Sequence, residues 1–223
     1  MTKIVGAVTI GQSGRGDIIP EMSEISGKGI EFVEAGALDG FSLYQVEQLK
    51  PMEGEHTLIT RLKDGRAVKV ATGRIIPLVQ ACIDKLTRQG IDLLTILCTG
   101  QFPPFDTSRL IIYPSKLLHY TVGALSPLKK LGIIVPLPEQ IESARERWRL
   151  HGQEVVIQSA SPYGDVERLR EAAQHLSALG AELIILDCMG FDRRMKQIAL
   201  DEANKPVLLP RSLLAQLIGE LLT

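Results

Sequence analysis

The chain has 223 residues but only three cysteines, Cys82, Cys98 and Cys188. That is too few for a disulfide framework, and no two stand at CxxC spacing, so the usage fits reduced thiols in a reducing compartment. The four histidines, His56, His119, His151 and His175, are scattered, with none close to Cys98 or Cys188, and no metal site is expected. An excess of one charge is also missing. Lys plus Arg number 25 against 26 Asp plus Glu, a net charge of −1 with no basic cluster, so no nucleic-acid surface is expected. No apolar run is long enough to span a bilayer, which leaves no membrane partner. Met1-Thr2-Lys3-Ile4-Val5-Gly6 enters a strand pattern directly, without a signal-peptide pattern. The expected location is cytoplasmic. Low-complexity segments are absent.

One stretch is present twice. Gly90-Ile91-Asp92-Leu93-Leu94-Thr95-Ile96-Leu97-Cys98-Thr99-Gly100 is followed, at constant spacing, by Gly180-Ala181-Glu182-Leu183-Ile184-Ile185-Leu186-Asp187-Cys188-Met189-Gly190. An apolar run ending in a polar, glycine-containing turn reads as a buried parallel strand followed by a loop. Each cysteine is thereby expected at the carboxyl end of a strand, where open α/β sheets place their ligands. The repetition extends to Pro114-Ser115-Lys116-Leu117-Leu118, which aligns with Pro210-Arg211-Ser212-Leu213-Leu214, and Gly123 then falls on Gly219. Lys130 to Pro136 likewise restarts the pattern of Lys3 to Thr9. Duplication of an α/β half accounts for this. The expectation is two pseudo-symmetric, doubly wound parallel-sheet lobes, 1–113 plus 211–223 and 114–210, facing one another across a cleft that holds the site.

The intervening segments read as follows. Lys3 to Ile10 is a strand ending in Gly11-Gln12-Ser13-Gly14-Arg15-Gly16-Asp17, a donor-rich loop suited to an anion or simply a flexible turn. It lacks the dinucleotide fingerprint. Helices are expected over 18–25, 42–49, 74–89, 115–125, 138–150, 165–179, 191–203 and 211–222, and strands over 29–35, 109–113, 154–158 and 206–209. Lys63-Asp64-Gly65 marks a hairpin between 57–62 and 66–71, part of an insertion around residues 50–72. Cys82 shares a helix face with Ile75, Ile76, Val79, Ile83 and Leu86, which makes it a small core residue.

Two thiols at equivalent positions on opposite lobes suit inversion at a carbon that carries a removable proton. One thiolate removes the proton and the other thiol delivers one to the opposite face. The acidity of a carbon beside a carboxylate is low, so donors must be aimed where charge develops. The backbone N–H groups of Gly100 and Gly190 are candidates. A nearby helix start lowers a thiol pKa from about 8.5 towards neutrality, where a base works well. Buried, inert cysteines copied by duplication are the competing reading.

These residues resemble the aspartate/glutamate/hydantoin racemase superfamily, and the whole chain is similar to the AroM protein family. The similarity is carried by Leu186-Asp187-Cys188-Met189-Gly190-Phe191, Gly132 to Pro136 and Pro206 to Leu222. The resemblance implies a cofactor-independent α/β fold with Cys98 and Cys188 as an acid/base pair. It also places Gln12 and Ser13 where racemases carry an acidic-Ser pair, making Ser13 a carboxylate-binding candidate, with Arg15 as a second anion contact or an exposed charge. Racemases usually show Cys-Asn-Thr and Cys-Thr-His; here the sites are Cys98-Thr99-Gly100 and Cys188-Met189-Gly190. Of the groups that help hold an amino acid only the Thr99 hydroxyl remains, and Met189 makes the second site more apolar. The implied function is a racemase or isomerase acting on a small carboxylate. The alternatives are a decarboxylase or cis–trans isomerase using one cysteine, and a non-catalytic carboxylate-binding or regulatory protein. A homo-oligomer is left open.

Overall fold

The computed structural model describes residues 2–149 and 152–223. The chain forms two compact units, Met1–Ser115 with Ala215–Thr223, and Lys116–Leu214. His151 and the end of the helix expected over 138–150 lie outside the described residues.

The first unit is built on a parallel sheet. Strands β1 (Lys3–Thr9), β2 (Ile30–Gly36), β5 (Leu93–Ile96) and β6 (Ile111–Ile112) lie in the order β2-β1-β5-β6. β1 and β5 are central, and their near-continuous Val, Ile, Leu and Ala content is what a strand covered on both faces requires. Helix α1 (Ile19–Ser26) follows β1. Helix α2 (Leu43–Glu47) opens with a capping box, in which Ser42 N–H donates to Gln45 Oε1 at 2.9 Å. The insertion is an antiparallel hairpin, β3 (Thr57–Arg61) and β4 (Ala67–Ala71), apart from the main sheet. Helix α3 (Thr72–Arg88) buries Ile75, Val79, Cys82, Ile83 and Leu86 against the sheet, one stripe at the helical period.

Helix α4 (Pro114–Gly123) leads into the second unit. There β7 (Lys130–Val135), β8 (Glu154–Ser159), β9 (Leu183–Leu186) and β10 (Val207–Leu208) lie in the order β8-β7-β9-β10, the same arrangement as in the first sheet. A short 3-10 turn, Pro138–Gln140, precedes α5 (Ile141–Trp148). Helix α6 (Val166–Ala178) is capped by Asp165, whose Oδ1 accepts from Glu167 N–H at 3.0 Å. Helices α7 (Arg193–Ala203) and α8 (Pro210–Leu222) complete the chain.

The likeness of the sheets reaches single residues. The burial pattern of residues 81–100 recurs residue for residue at 171–190. A Cβ on Gly6 would meet Leu94, Ile91 and Leu86, and one on Gly132 would meet the equivalent Ile184, Ala181 and Leu176. Asp92 Oδ2 accepts from Ile4 N–H at 2.8 Å, and Glu182 Oε2 accepts from Lys129 N–H at 2.6 Å, so each acid pins the start of its neighbouring strand. Those backbone donors hold both carboxyls below their ordinary pKa.

Candidate functional site

Cys98 stands two residues beyond β5, and Cys188 two residues beyond β9, each half-buried at the carboxyl end of a central strand. The chain leaves the two strands in the same way. Leu97 N–H donates to Val8 carbonyl at 2.7 Å, and Asp187 N–H donates to Ile134 carbonyl at 2.9 Å. The turn then brings an amide back onto the sulfur. Gly100 N–H donates to Cys98 Sγ at 3.3 Å, and Gly190 N–H donates to Cys188 Sγ at 3.4 Å. A donor aimed at sulfur favours the charged thiolate over the thiol. Both amides, candidate donors to a substrate carboxylate in the sequence, point at the neighbouring thiols in this structure. None of the three cysteines is in a disulfide.

Cys82 is different. Burial, and next the Asp39 charge, push its thiol up to about 11, and it acts as a packing group within the first core.

The settings of the two turns diverge. A side chain on Gly100 would meet Leu58 of the hairpin and Phe102, both apolar. On Gly190 it would meet the Tyr163 hydroxyl at 2.7 Å and Pro162. Ahead of Cys98 stands buried Leu97; ahead of Cys188 stands buried Asp187, whose Oδ2 accepts from Arg147 Nη2 at 2.8 Å and Trp148 Nε1 at 3.1 Å. Thr99 and Met189 are both buried. Beyond Cys98, residues 97–110 contain no helix, so a helix start near Gly100 is not found; beyond Cys188, α7 begins at once, with Asp192 Oδ1 accepting from Met195 N–H at 2.7 Å.

Arg211, the second residue of α8, is 1% exposed. Its Nε and Nη2 donate to the Met189 carbonyl at 3.1 and 2.8 Å, and Nη2 also donates to the Gly190 carbonyl at 3.2 Å. The sequence placed Arg211 opposite Ser115 without giving it a role. Leu58, Tyr163 and Asp187 were likewise not singled out as site residues, because their places depend on contacts far along the chain.

The loop after β1 is filled by the protein's own carboxylates. Ser13 N–H donates to Asp39 Oδ1 at 2.8 Å, while Gly14 and Arg15 N–H donate to Glu34 Oε2 at 3.1 and 2.8 Å. Gln12 ties the loop to the hairpin: its Nε2 donates to Leu38 carbonyl at 3.3 Å and its Oε1 accepts from Lys63 N–H at 2.8 Å. Arg15 is 4% exposed, so the exposed-charge reading is set aside. Its Nε and Nη2 both bind the Asp17 carboxylate at 2.9 Å, and Nη1 donates to Thr9 Oγ1 at 3.0 Å. Burial raises the Asp17 pKa, but the Arg15 fork outweighs it, with Arg61 adding to the effect, and holds the group below its ordinary value. Among the described residues no group of His, Cys, Asp and Glu is arranged to hold a metal ion, and no helix is long and apolar enough to cross a membrane.

Two parallel α/β sheets of one strand order, each delivering a cysteine turn from a central strand, define the racemase-type fold. The Picrophilus torridus aspartate racemase matches with a TM-score of 0.63 at 14% identity, covering 98% of this chain and 93% of that one. The maleate isomerase Iso from Pseudomonas putida S16 matches with 0.65 at 12% identity, over 96% and 90%. Unliganded arylmalonate decarboxylase matches with 0.63 at 13% identity, over 98% and 93%. The chain itself belongs to the AroM protein family, whose model matches residues 5–222. A comparison with curated proteins finds no matching sequence.

Proposed function

We propose that the protein is a cofactor-independent enzyme of racemase or isomerase type that moves a proton at a carbon of a small carboxylic acid, with Cys98 and Cys188 as its acid/base pair. One observation carries the reading: two thiols at equivalent strand ends, each accepting an N–H from the glycine two residues on. A thiolate so held removes a proton next to the carboxylate, and the second thiol returns one to the other face. Both steps exchange protons only, so no redox partner is needed. The hydroxyls of Ser13 and Thr99 are the proposed carboxylate donors; Gln12 and Arg15 act by holding the β1 loop in shape through their internal bonds. The apolar Met189 argues for a substrate less polar than aspartate. The neighbours carry racemase, isomerase and decarboxylase names, which supports this range of chemistries rather than one of them.

A second reading has support in the unequal settings of the turns. If only Cys188, with Asp187 and Arg211 around it, does chemistry, the enzyme is a decarboxylase or a cis–trans isomerase using a single thiol.

The test is deuterium wash-in. The protein is incubated in heavy water with pooled amino, hydroxy and unsaturated carboxylic acids, and mass and chirality are followed beside Cys98→Ala and Cys188→Ala. Label entering one acid, and lost in both variants, supports the pair. Loss in Cys188→Ala alone supports the single-thiol reading. Carboxylate binding that protects the thiols from alkylation without any exchange would replace both with a binding protein. Cys82, held as the neutral thiol, is the internal control for alkylation.

A further inference from the structure

Arg211 holds the peptide plane whose N–H donates to Cys188 Sγ. The Met189–Gly190 bond is trans, since Ser126–Pro127 is the cis bond of the described residues. In a planar trans peptide the carbonyl and the N–H point in opposite directions. Two nitrogens of Arg211 fix the carbonyl of this peptide, at 3.1 and 2.8 Å, and its N–H is thereby directed at Cys188 Sγ, 3.4 Å away. The third bond, from Arg211 to the Gly190 carbonyl at 3.2 Å, fixes the following plane and stops the turn from rotating. The guanidinium is buried, so its charge is weakly screened. A cation on a carbonyl oxygen polarises the amide and strengthens the bond its N–H donates.

At the corresponding place the first copy has a buried serine, Ser115. Both copies enter a helix through a proline after the last strand, Pro114 of α4 and Pro210 of α8, and the next residue is Ser115 in one and Arg211 in the other. Ser115 is uncharged. At this aligned position the second copy places a buried cation behind the thiol-to-amide bond, where the first places a serine.

We propose that Arg211 is a positioning residue that makes Cys188 the resting thiolate of the protein, leaving Cys98 as the resting thiol. Other charged or titratable groups on the elements that meet the Cys188 turn are Asp187 at the end of β9, Tyr163 after β8, and Asp192 and Arg193 at the start of α7. Asp187 opposes the effect, but its carboxylate is engaged by Arg147 and Trp148. Asp192 is engaged by the α7 amide of Met195. Tyr163 places its hydroxyl over Gly190. In mechanistic terms, which rest on the acid/base reading above, the resting enzyme is prepared for the substrate whose proton faces Cys188. The opposite enantiomer requires the proton arrangement to be reversed first.

The experiment is a pH profile of alkylation by iodoacetamide, read separately at each cysteine by peptide mass spectrometry in the folded protein. Cys188 is expected to show a midpoint about one pH unit below that of Cys98. Arg211→Met should raise the Cys188 midpoint towards that of Cys98 without moving Cys98, and Arg211→Lys should give an intermediate shift. A Cys188 midpoint equal to or above that of Cys98 in the unaltered protein overturns the proposal, whether or not the variants fold. So does a folded Arg211→Met that keeps the split. Thiol titration needs no substrate, so the two readings fail separately. A split without deuterium exchange leaves this inference standing and removes the reaction; exchange without a split does the reverse.

Discussion

Around Cys98 the glycine two residues on is closed in by Leu58 and Phe102, whereas around Cys188 the same glycine meets Pro162 and the Tyr163 phenol. Leu97 precedes one thiol and a buried, paired Asp187 the other. Backbone geometry is shared: the strand exit, the burial of each neighbour and the amide-to-sulfur bond are all the same. The side chains that touch that backbone are not. Parallel-sheet hydrogen bonding fixes where a strand-end thiol stands, and it tolerates almost any side chain of the right volume around it. Polarity at the two thiols can therefore diverge while their placement does not.

The largest break of the likeness is expected at Asp187. Asp187→Ala removes the carboxylate that accepts from Arg147 and Trp148 and should cost about 3–4 kcal/mol in urea unfolding. Adding Arg147→Met to that variant should change little more, because the pair is already broken; a further full-sized loss would show that Arg147 is held by something other than Asp187. At the ends of the outer strands the sheets differ again. Gly36 pairs with Thr9, and Ser159 pairs with Val135, at matching positions. A Cβ on Gly36 would lie 2.4 Å from Ser13 N and 2.7 Å from Gly11 carbonyl, both backbone, so Gly36→Ala should cost about 3 kcal/mol. Ser159→Ala, where a side chain is already accommodated, should stay within about 0.5 kcal/mol.

Smaller effects test the likeness itself. Gly6→Ala and Gly132→Ala each press a methyl onto three equivalent aliphatic side chains. Each should lose about 1–2 kcal/mol, and the two losses should agree within about 0.5 kcal/mol. Unequal losses would mean that the cores yield differently despite matching contacts. The smallest effect is in acid. Asp92 and Glu182 both have folded pKa values held below their ordinary ones by backbone donors. Their contribution is complete above the ordinary carboxylate range and is lost as pH falls through the lowered values. Asp92→Asn and Glu182→Gln should each flatten the acid limb of the stability curve to a similar small extent. A steeper limb in either variant would contradict the sign.

Much of this was legible in the sequence. The two cysteine strands stood out because repetition doubled a weak apolar signal, and the Asp64-Gly65 hairpin and the Asp165 cap follow from local chemistry. The β1 loop was harder. Its amides do bind anions, but these are Glu34 within β2 and Asp39 just beyond it, which reach the loop only once β1 and β2 pair. The Arg15–Asp17 fork spans two residues and could have been suspected from spacing alone. The direction of the Gly100 and Gly190 amides could not, because a peptide plane flips with two dihedrals that no residue type fixes. Arg211 escaped for the same reason: its value lies in the carbonyls it holds, and carbonyls are invisible in a sequence.

Helix α8 belongs to the second unit up to Leu214 and to the first from Ala215 onward. Its last turns bring a fully buried Ile218 to the first unit and set Gly219 against the Ser26 carbonyl, where a Cβ would stand only 2.8 Å away. A ribosome making this chain in order thus delivers helix α1 long before the segment that packs against its last residue. The end of α1 must wait for that contact through the synthesis of the entire second unit. Loss of the final nine residues would harm the part of the protein that is made first.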